Sequence, residues 1–195
     1  MKNVLVLDIG GVLVFFDNHV MLSNLRSMMV HAPASTELLS EIRRSGIGTG
    51  AITVAALYDI FHSKYVIKGP REAFFAAWCS HFQPNTPLLD AITSLRADWD
   101  IVICSNTNDQ HWRHLDATFG LRSRASHVVL SFECGVEKPN AEIFHIVRDS
   151  FKSRPPRTLF VDDDPLNVAG AIQEGFEGVL FENADTLLEF LEANE

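Results

Sequence analysis

Four short stretches of this chain end in residues that can do polar chemistry. Asp8 closes the run VLVLD and is followed by two residues on by Gly10, which has no side chain. Ser105, Asn106 and Thr107 follow IVIC, Lys138 lies in GVEKPNAEIF, and Asp162, Asp163 and Asp164 follow LFV. Taken singly, an aspartate after an apolar run is commonly a turn former or a helix cap. Together the four endings supply the parts of a phosphoryl-transfer site. A carboxylate can accept a phosphoryl group as an aspartyl phosphate and so divide hydrolysis into two steps. Because a dianionic phosphate repels that carboxylate, such a site needs a hard divalent cation, a fixed ammonium and short polar donors around the phosphoryl oxygens.

The elements that must position these residues are legible as strands. Val4 to Leu7, Ile101 to Cys104, His127 to Leu130, Leu159 to Val161 and Gly178 to Phe181 are short, largely β-branched runs. Runs apolar on both faces and separated by helical patterns predict buried parallel strands. Crossover helices are expected over Pro87 to Arg96, with Thr86 as N-cap, and over Pro165 to Glu174, with Asp164 as N-cap. The fold class is therefore α/β, with a Rossmann-like parallel sheet whose polar strand ends meet in the crevice beyond its carboxyl edge. Residues 18–86 read differently. They offer no comparable strands, and helix-like stretches fall at Asn18 to Met29, Ser35 to Arg44, Thr53 to Phe61 and Pro70 to Phe82, broken by Pro33, Gly46, Gly48, Gly50 and Gly69. The expected organisation is a core domain of residues 1–17 and 87–195 with an α-helical cap, 18–86, inserted after the first strand.

Composition agrees with this reading and excludes others. The 195 residues, 47% of them hydrophobic, can bury a sizeable core. A net charge of −9 without a Lys/Arg run argues against a nucleic-acid partner, while a few local cations can still hold a small anion. The first apolar run is interrupted by Asp8, which speaks against a signal peptide or a membrane span. Cys79, Cys104 and Cys134 are odd in number, far apart and free of C-x-x-C spacing; they read as buried thiols in a cytoplasmic setting.

The ordered set DIGGV, ICSNT, EKPNAEIF and FVDDDPLN resembles the four motifs of the haloacid dehalogenase superfamily, and the resemblance covers essentially the whole chain. It implies that Asp8 is the nucleophile, that Ser105 and Asn106, with Thr107 beside them, hold the phosphoryl group, and that Lys138 neutralises nucleophile and phosphate. It also implies Mg²⁺ on Asp8, the Gly10 carbonyl and Asp163, with Asp162 in support, and a helical cap like that of the phosphatase-rich first subclass. The expected partner is a small phosphorylated metabolite.

Gly10 departs from the pattern. Most phosphatases of the superfamily carry there a second aspartate that protonates the leaving oxygen. General acid–base catalysis is worth about 10² to 10⁴ in rate, so its loss is serious without being fatal. A leaving group of low pKa, such as that of a sugar 1-phosphate, suits such a site. Two alternatives stand beside the phosphatase: a catalytically weak member that binds a ligand or partner, kept open by Gly10, and a 2-haloacid dehalogenase, for which the acidic run 162–164 has little purpose. Asp17 reads as a hinge of the cap domain or a solvated aspartate before a substitute acid. His111 and His114 read as exposed helix residues, Arg43 and Arg44 as a solvated helix end, and GTGAIT at 48–53 resembles the cap loop that reads the substrate.

Overall fold

The computed structural model describes residues 2–151 and 155–193. The elements in chain order are β1 (Asn3–Leu7), β2 (Val14–Phe16), α1 (Asn18–Ser27), α2 (Ser35–Arg44), α3 (Val54–Tyr65), α4 (Arg71–Trp78), β3 (Phe82–Pro84), α5 (Thr86–Leu95) and β4 (Trp99–Ser105). They continue with α6 (Asp109–Phe119), α7 (Leu121–Arg124), β5 (His127–Leu130), α8 (Ser131–Cys134), α9 (Ala141–Asp149), β6 (Thr158–Asp162), α10 (Pro165–Gln173), β7 (Glu177–Leu180) and α11 (Ala184–Glu192). Five strands pair in parallel in the order β5-β4-β1-β6-β7. The chain moves outward from β1 through β4 to β5 and then crosses back to β6, so the strand order reverses beside β1. That is where an open α/β sheet forms its binding crevice.

Alternation along the strands explains why their sequences are apolar throughout. Leu5, Leu7, Ile101, Ile103, Leu159 and Val161 point into a cluster with α5, α6 and α11. Val4, Val6, Val102, Cys104 and Phe160 point the other way, onto Ile143, Phe144 and Val147 of α9 and Ala171 of α10. Both faces are covered, as a parallel sheet requires. The register pairs Leu7 with Ile103 on one side and with Val161 on the other, which brings the C-terminal ends of β1, β4 and β6 to one edge.

Helices α1 to α4 hold a separate core, including Leu25, Leu38, Leu57, Phe61, Phe74 and Trp78. They are inserted between β2 and β3, which pair antiparallel through Phe16 and Phe82. This pairing corrects the expectation that 18–86 lacks strands: Phe82–Pro84 is too short to show a period of its own, and its partner lies on the other side of the insertion. Helix α5 also begins one residue earlier than expected. Asn85 is its N-cap residue and Thr86 is already helical; the Asn85 side chain makes no capping bond and instead donates to the Val12 carbonyl at 2.8 Å. Asp17 caps α1, accepting from the His19 N–H at 2.8 Å, and Asp164 caps α10 by accepting from Leu166.

Candidate active site

At the carboxyl edge of the sheet, three strands deliver the residues of the site. Asp8 follows β1 and stays in the ladder through its N–H, which donates to the Val161 carbonyl at 3.0 Å. Ser105 ends β4 and Asp162 ends β6. Between them lies Lys138, whose Nζ is 3.0 Å from Asp8 Oδ1 and 2.6 Å from Asp162 Oδ2, and donates to the Cys104 carbonyl at 3.0 Å. The lysine is buried, so its ammonium has exchanged water for these three oxygens. Burial alone works against its charge, but Asp8, Cys104 and Asp162 around it outweigh that cost and hold its pKa above the usual lysine range.

Asp8 is placed to be reactive. Burial pushes its carboxyl pKa up, Lys138 draws it back, the Asp162 charge adds to the rise and the nearby Ser105 hydroxyl lowers it. The Ile9 N–H also donates to Oδ1, at 2.7 Å. Asp162 is engaged on both oxygens: Oδ2 holds Lys138, and Oδ1 accepts from the Asp164 N–H at 2.9 Å and from Asn167 Nδ2 at 3.1 Å. Its geometry suits positioning the lysine. Asp163 is the more open of the pair, its pKa raised by partial burial and by the Asp162 charge. Gly11 makes room for it. At φ +77°, a Cβ on Gly11 would stand 2.1 Å from Asp163 Oδ2, so only glycine admits the carboxylate there.

Oxygens of Asp8, Asp162 and Asp163 all lie within 4.8 Å of one another. An oxygen-only set of this kind suits a hard divalent cation of the Mg²⁺ type. The two carboxylates at positions 8 and 163, from opposite ends of the sequence, thus face one pocket.

The loop after β4 is organised differently from the expectation that its side chains serve the phosphate. The Asn106 amide is turned to the lysine segment: Nδ2 donates to the Lys138 carbonyl at 2.9 Å and Oδ1 accepts from the Lys138 N–H at 2.8 Å. Thr107 offers its N–H to Ser131 Oγ at 2.9 Å. Ser131 is fully buried and in turn donates to the Gly48 carbonyl of the inserted helical segment at 2.6 Å. Sequence reasoning assigned no role to Ser131, Asn108 or Asp109, which tie insertion to core. Asn108 Oδ1 accepts from Trp78 Nε1 at 3.3 Å, and Asp109 Oδ1 accepts from the Val54 N–H at the start of α3, at 3.0 Å. The signals were the place of Ser131 directly after the apolar run His127 to Leu130 and the run SNTND, polar at every position.

Two further expectations change. His111 is half-buried and not exposed: its Nε2 donates to the Trp78 carbonyl at 3.1 Å, and its Nδ1, the acceptor in that tautomer, takes a hydrogen bond from Asn108 Nδ2 at 3.0 Å. Burial lowers its pKa to about 3, and nearby His81 to about 4. Arg43, Arg44 and Thr49 line a cleft of about 420 Å³ together with Asn106, Thr107 and Glu137, so the helix end faces the site region. Within it, a Cβ on Gly48 would meet Glu137 Oε1 at 2.1 Å. Cys79 and Cys104 are buried and Cys134 is partly so, all three as free thiols.

A five-stranded parallel sheet gathers a strand-end carboxylate, a buried lysine and an acidic pair at its switch point, the architecture of a Rossmann-like α/β protein. The chain matches the haloacid dehalogenase-like hydrolase family over residues 2–175 and belongs to it. It is similar to flavin mononucleotide hydrolase 1 of Arabidopsis thaliana, 33% identical over 99 residues, 50% of this chain and 40% of that protein. It is likewise similar to D-ribitol-5-phosphate phosphatase of Bacteroides thetaiotaomicron, 31% identical over 115 residues and 55% of either chain. The matched regions thus span about half the length of these curated relatives. Among solved structures, a HAD family enzyme of Bacteroides thetaiotaomicron in complex with magnesium and inorganic phosphate superposes with a TM-score of 0.81 at 26% identity. That match covers 94% of this chain and 95% of the other. Among the described residues, no helix is long and apolar enough to cross a membrane.

Proposed function

We propose that this hydrolase is a Mg²⁺-dependent phosphomonoesterase that acts on a small phosphorylated metabolite through an aspartyl phosphate on Asp8. The observation that carries the reading is the convergence of Asp8, Asp162 and Asp163 within 4.8 Å, beside the ammonium of Lys138. Asp8, the Gly10 carbonyl and Asp163 would hold the cation. Bound there, Mg²⁺ supplies charge that lets one anion approach another and polarises the phosphoryl group.

The chain's own residues do the rest. Asp8 attacks phosphorus. Lys138, fixed by Asp162 and the Cys104 carbonyl, offsets charge on the nucleophile and on the transferring group. Ser105 is placed to turn its hydroxyl from Asp8 to a phosphoryl oxygen, and the backbone around Asn106 and Thr107 borders the same space. Asn106 acts by positioning Lys138. The relatives that hydrolyse flavin mononucleotide and ribitol 5-phosphate support a small phosphorylated substrate, and Gly10 favours one with a good leaving group, such as a sugar 1-phosphate. The same reading divides the chain into a core of 1–17 and 87–195 and a cap of 18–86. Three free thiols support a cytoplasmic setting.

The test is phosphate release from p-nitrophenyl phosphate, flavin mononucleotide and a panel of sugar phosphates, with Mg²⁺ or with EDTA, alongside chloroacetate. Turnover of phosphate only with metal, abolished by Asp8→Asn in a folded protein, supports the reading. Halide release without metal would make the chain a dehalogenase. Silence on every substrate would leave a ligand-binding member, the alternative that Gly10 keeps open.

A further inference from the structure

The loop between α2 and α3 touches the core at two positions where no side chain would fit. A Cβ built on Gly48 would lie 2.1 Å from Glu137 Oε1, and one on Gly50, at φ +71°, would lie 2.1 Å from the Phe132 carbonyl oxygen. Ser131 heads the core segment that this loop meets. It is fully buried, directly after β5. Its Oγ accepts from the Thr107 N–H at 2.9 Å and stands 2.6 Å from the Gly48 carbonyl and 3.2 Å from the Thr107 carbonyl. A hydroxyl carries one proton, so it serves one of these carbonyls at a time. With the loop seated, Gly48 is the nearer acceptor, and the bonds from Thr107 to Ser131 and from Ser131 to Gly48 form a chain in which each strengthens the other. With the loop lifted, the buried hydroxyl still needs an acceptor, and the Thr107 carbonyl is within reach. Thr107 lies close to the chemistry. Two residues before it, the Ser105 hydroxyl neighbours Asp8, and Asn106 between them clamps the Lys138 backbone at 2.9 and 2.8 Å.

We propose that Ser131 is a positioning residue for phosphoryl transfer: by giving its one proton either to Gly48 or to Thr107, it sets the loop that carries Ser105 and Asn106 according to whether the helical insertion is seated on the core. This rests on the phosphatase reading above. With the insertion seated, the Thr107 N–H is held by a hydroxyl committed to Gly48, and Ser105 and Lys138 keep their places around Asp8. With the insertion lifted, the hydroxyl turns to the carbonyl of Thr107 itself, its hold on the N–H weakens, and the loop loosens. The coupling runs both ways: a phosphoryl ligand that fixes Ser105 favours the seated loop by the same factor. Turnover therefore follows seating. A phosphate ester whose remaining part enters the cleft of about 420 Å³ bordered by Thr49, Asn106 and Glu137 keeps the loop down for the reaction.

The experiment is hydrogen exchange read by mass spectrometry on peptides covering residues 46–51 and 105–108, in wild type and Ser131→Ala, with and without inorganic phosphate and Mg²⁺, folding being checked by circular dichroism. Without ligand, Ser131→Ala should exchange about tenfold faster in both segments. In wild type, phosphate with Mg²⁺ should slow both; in Ser131→Ala it should slow 105–108 alone, a change that a merely stabilising hydroxyl would not produce. On p-nitrophenyl phosphate, Ser131→Ala should lower kcat about tenfold with KM within about threefold, because the groups that bind the phosphoryl moiety remain while their alignment is lost. Should Ser131→Ala leave the chain unfolded, Gly50→Ala, whose methyl would meet the Phe132 carbonyl, lifts the same loop with Ser131 in place and should also speed exchange over 105–108. The inference is overturned if exchange rises in one segment only, if Gly50→Ala leaves 105–108 unchanged, or if phosphate still slows 46–51 in Ser131→Ala as it does in wild type. If phosphate with Mg²⁺ slows neither segment in wild type and no ester is hydrolysed, the phosphatase reading fails and the role in turnover falls with it; the ligand-free comparison decides separately whether Ser131 links the two segments.

Discussion

Replacing Lys138 with methionine tests whether the site is held together by its own charges. The side chain is of similar length, but it removes an ammonium that touches Asp162 at 2.6 Å, Asp8 at 3.0 Å and the Cys104 carbonyl at 3.0 Å. Both carboxylates are buried, and Asp162 is fully so. Stranding one partner of a buried ion pair costs about 3–5 kcal/mol, so Lys138→Met should lose about that much stability at pH 8. The loss should depend on pH in one direction. Burial already raises the folded pKa of Asp8 and Lys138 draws it back, so without the ammonium it rises further above the unfolded value of about 3.9. The folded state then binds more protons than the unfolded state over a wider range, and stability rises as pH falls through the folded pKa toward 4, by up to about 1.4 kcal/mol per pH unit. Urea unfolding followed by the fluorescence of the buried Trp78, Trp99 and Trp112, between pH 5 and pH 8 without metal, measures this. Adding Asp162→Asn should return part of the loss, since the amide oxygen still accepts from Asp164 and Asn167. A Lys138→Met protein as stable as wild type at pH 8, or equally weakened at every pH, would refute the argument that charge pairing holds these carboxylates.

Asn106→Ala removes two hydrogen bonds to the Lys138 backbone; about 1–3 kcal/mol of stability should go, and turnover should fall with it, read by urea midpoint and initial rate. Gly11→Ala places a Cβ where Asp163 Oδ2 now sits and demands φ +77° of alanine; Mg²⁺ affinity by calorimetry should drop at least about tenfold, a displaced carboxylate being worth at least about 1.4 kcal/mol. Folded His111 resists protonation down to about 3 and His81 to about 4, whereas the unfolded chain takes up protons near 6.5. Stability should therefore fall as pH drops below about 6.5, by up to about 1.4 kcal/mol per unit for each histidine. His111→Gln, which keeps a donor for the Trp78 carbonyl and an acceptor for Asn108, should flatten that slope by one proton in acid urea titrations.

Much of the scaffold is written locally. Val4 to Leu7 and Ile101 to Cys104 alternate between two buried faces, and a run that must be apolar on both sides leaves few readings other than a central parallel strand. Asp8, Ser105 and Asp162 sit where those runs stop, so the candidate site follows from the strands themselves. Shorter elements were not legible. Three residues of β3 cannot display a period, and they exist as a strand because β2, on the far side of the insertion, supplies their hydrogen bonds. His111 read as exposed because its neighbours along α6 are polar; its burial comes from Trp78, His81 and Phe82, which approach from another part of the chain.

Sequence by itself determined which chemical groups stand at the strand ends, since side-chain type and the apolar runs before it are local facts. Only the tertiary structure decided which of their atoms remain free. Asn106 turns its amide to Lys138, Asp162 gives both oxygens to its neighbours, and Asp163 enters the space Gly11 leaves. Each outcome depends on partners brought within hydrogen-bond or van der Waals reach by strand register and by the docking of the helical insertion. Such contacts act over a few ångströms and carry no trace of how many residues separate the groups along the chain.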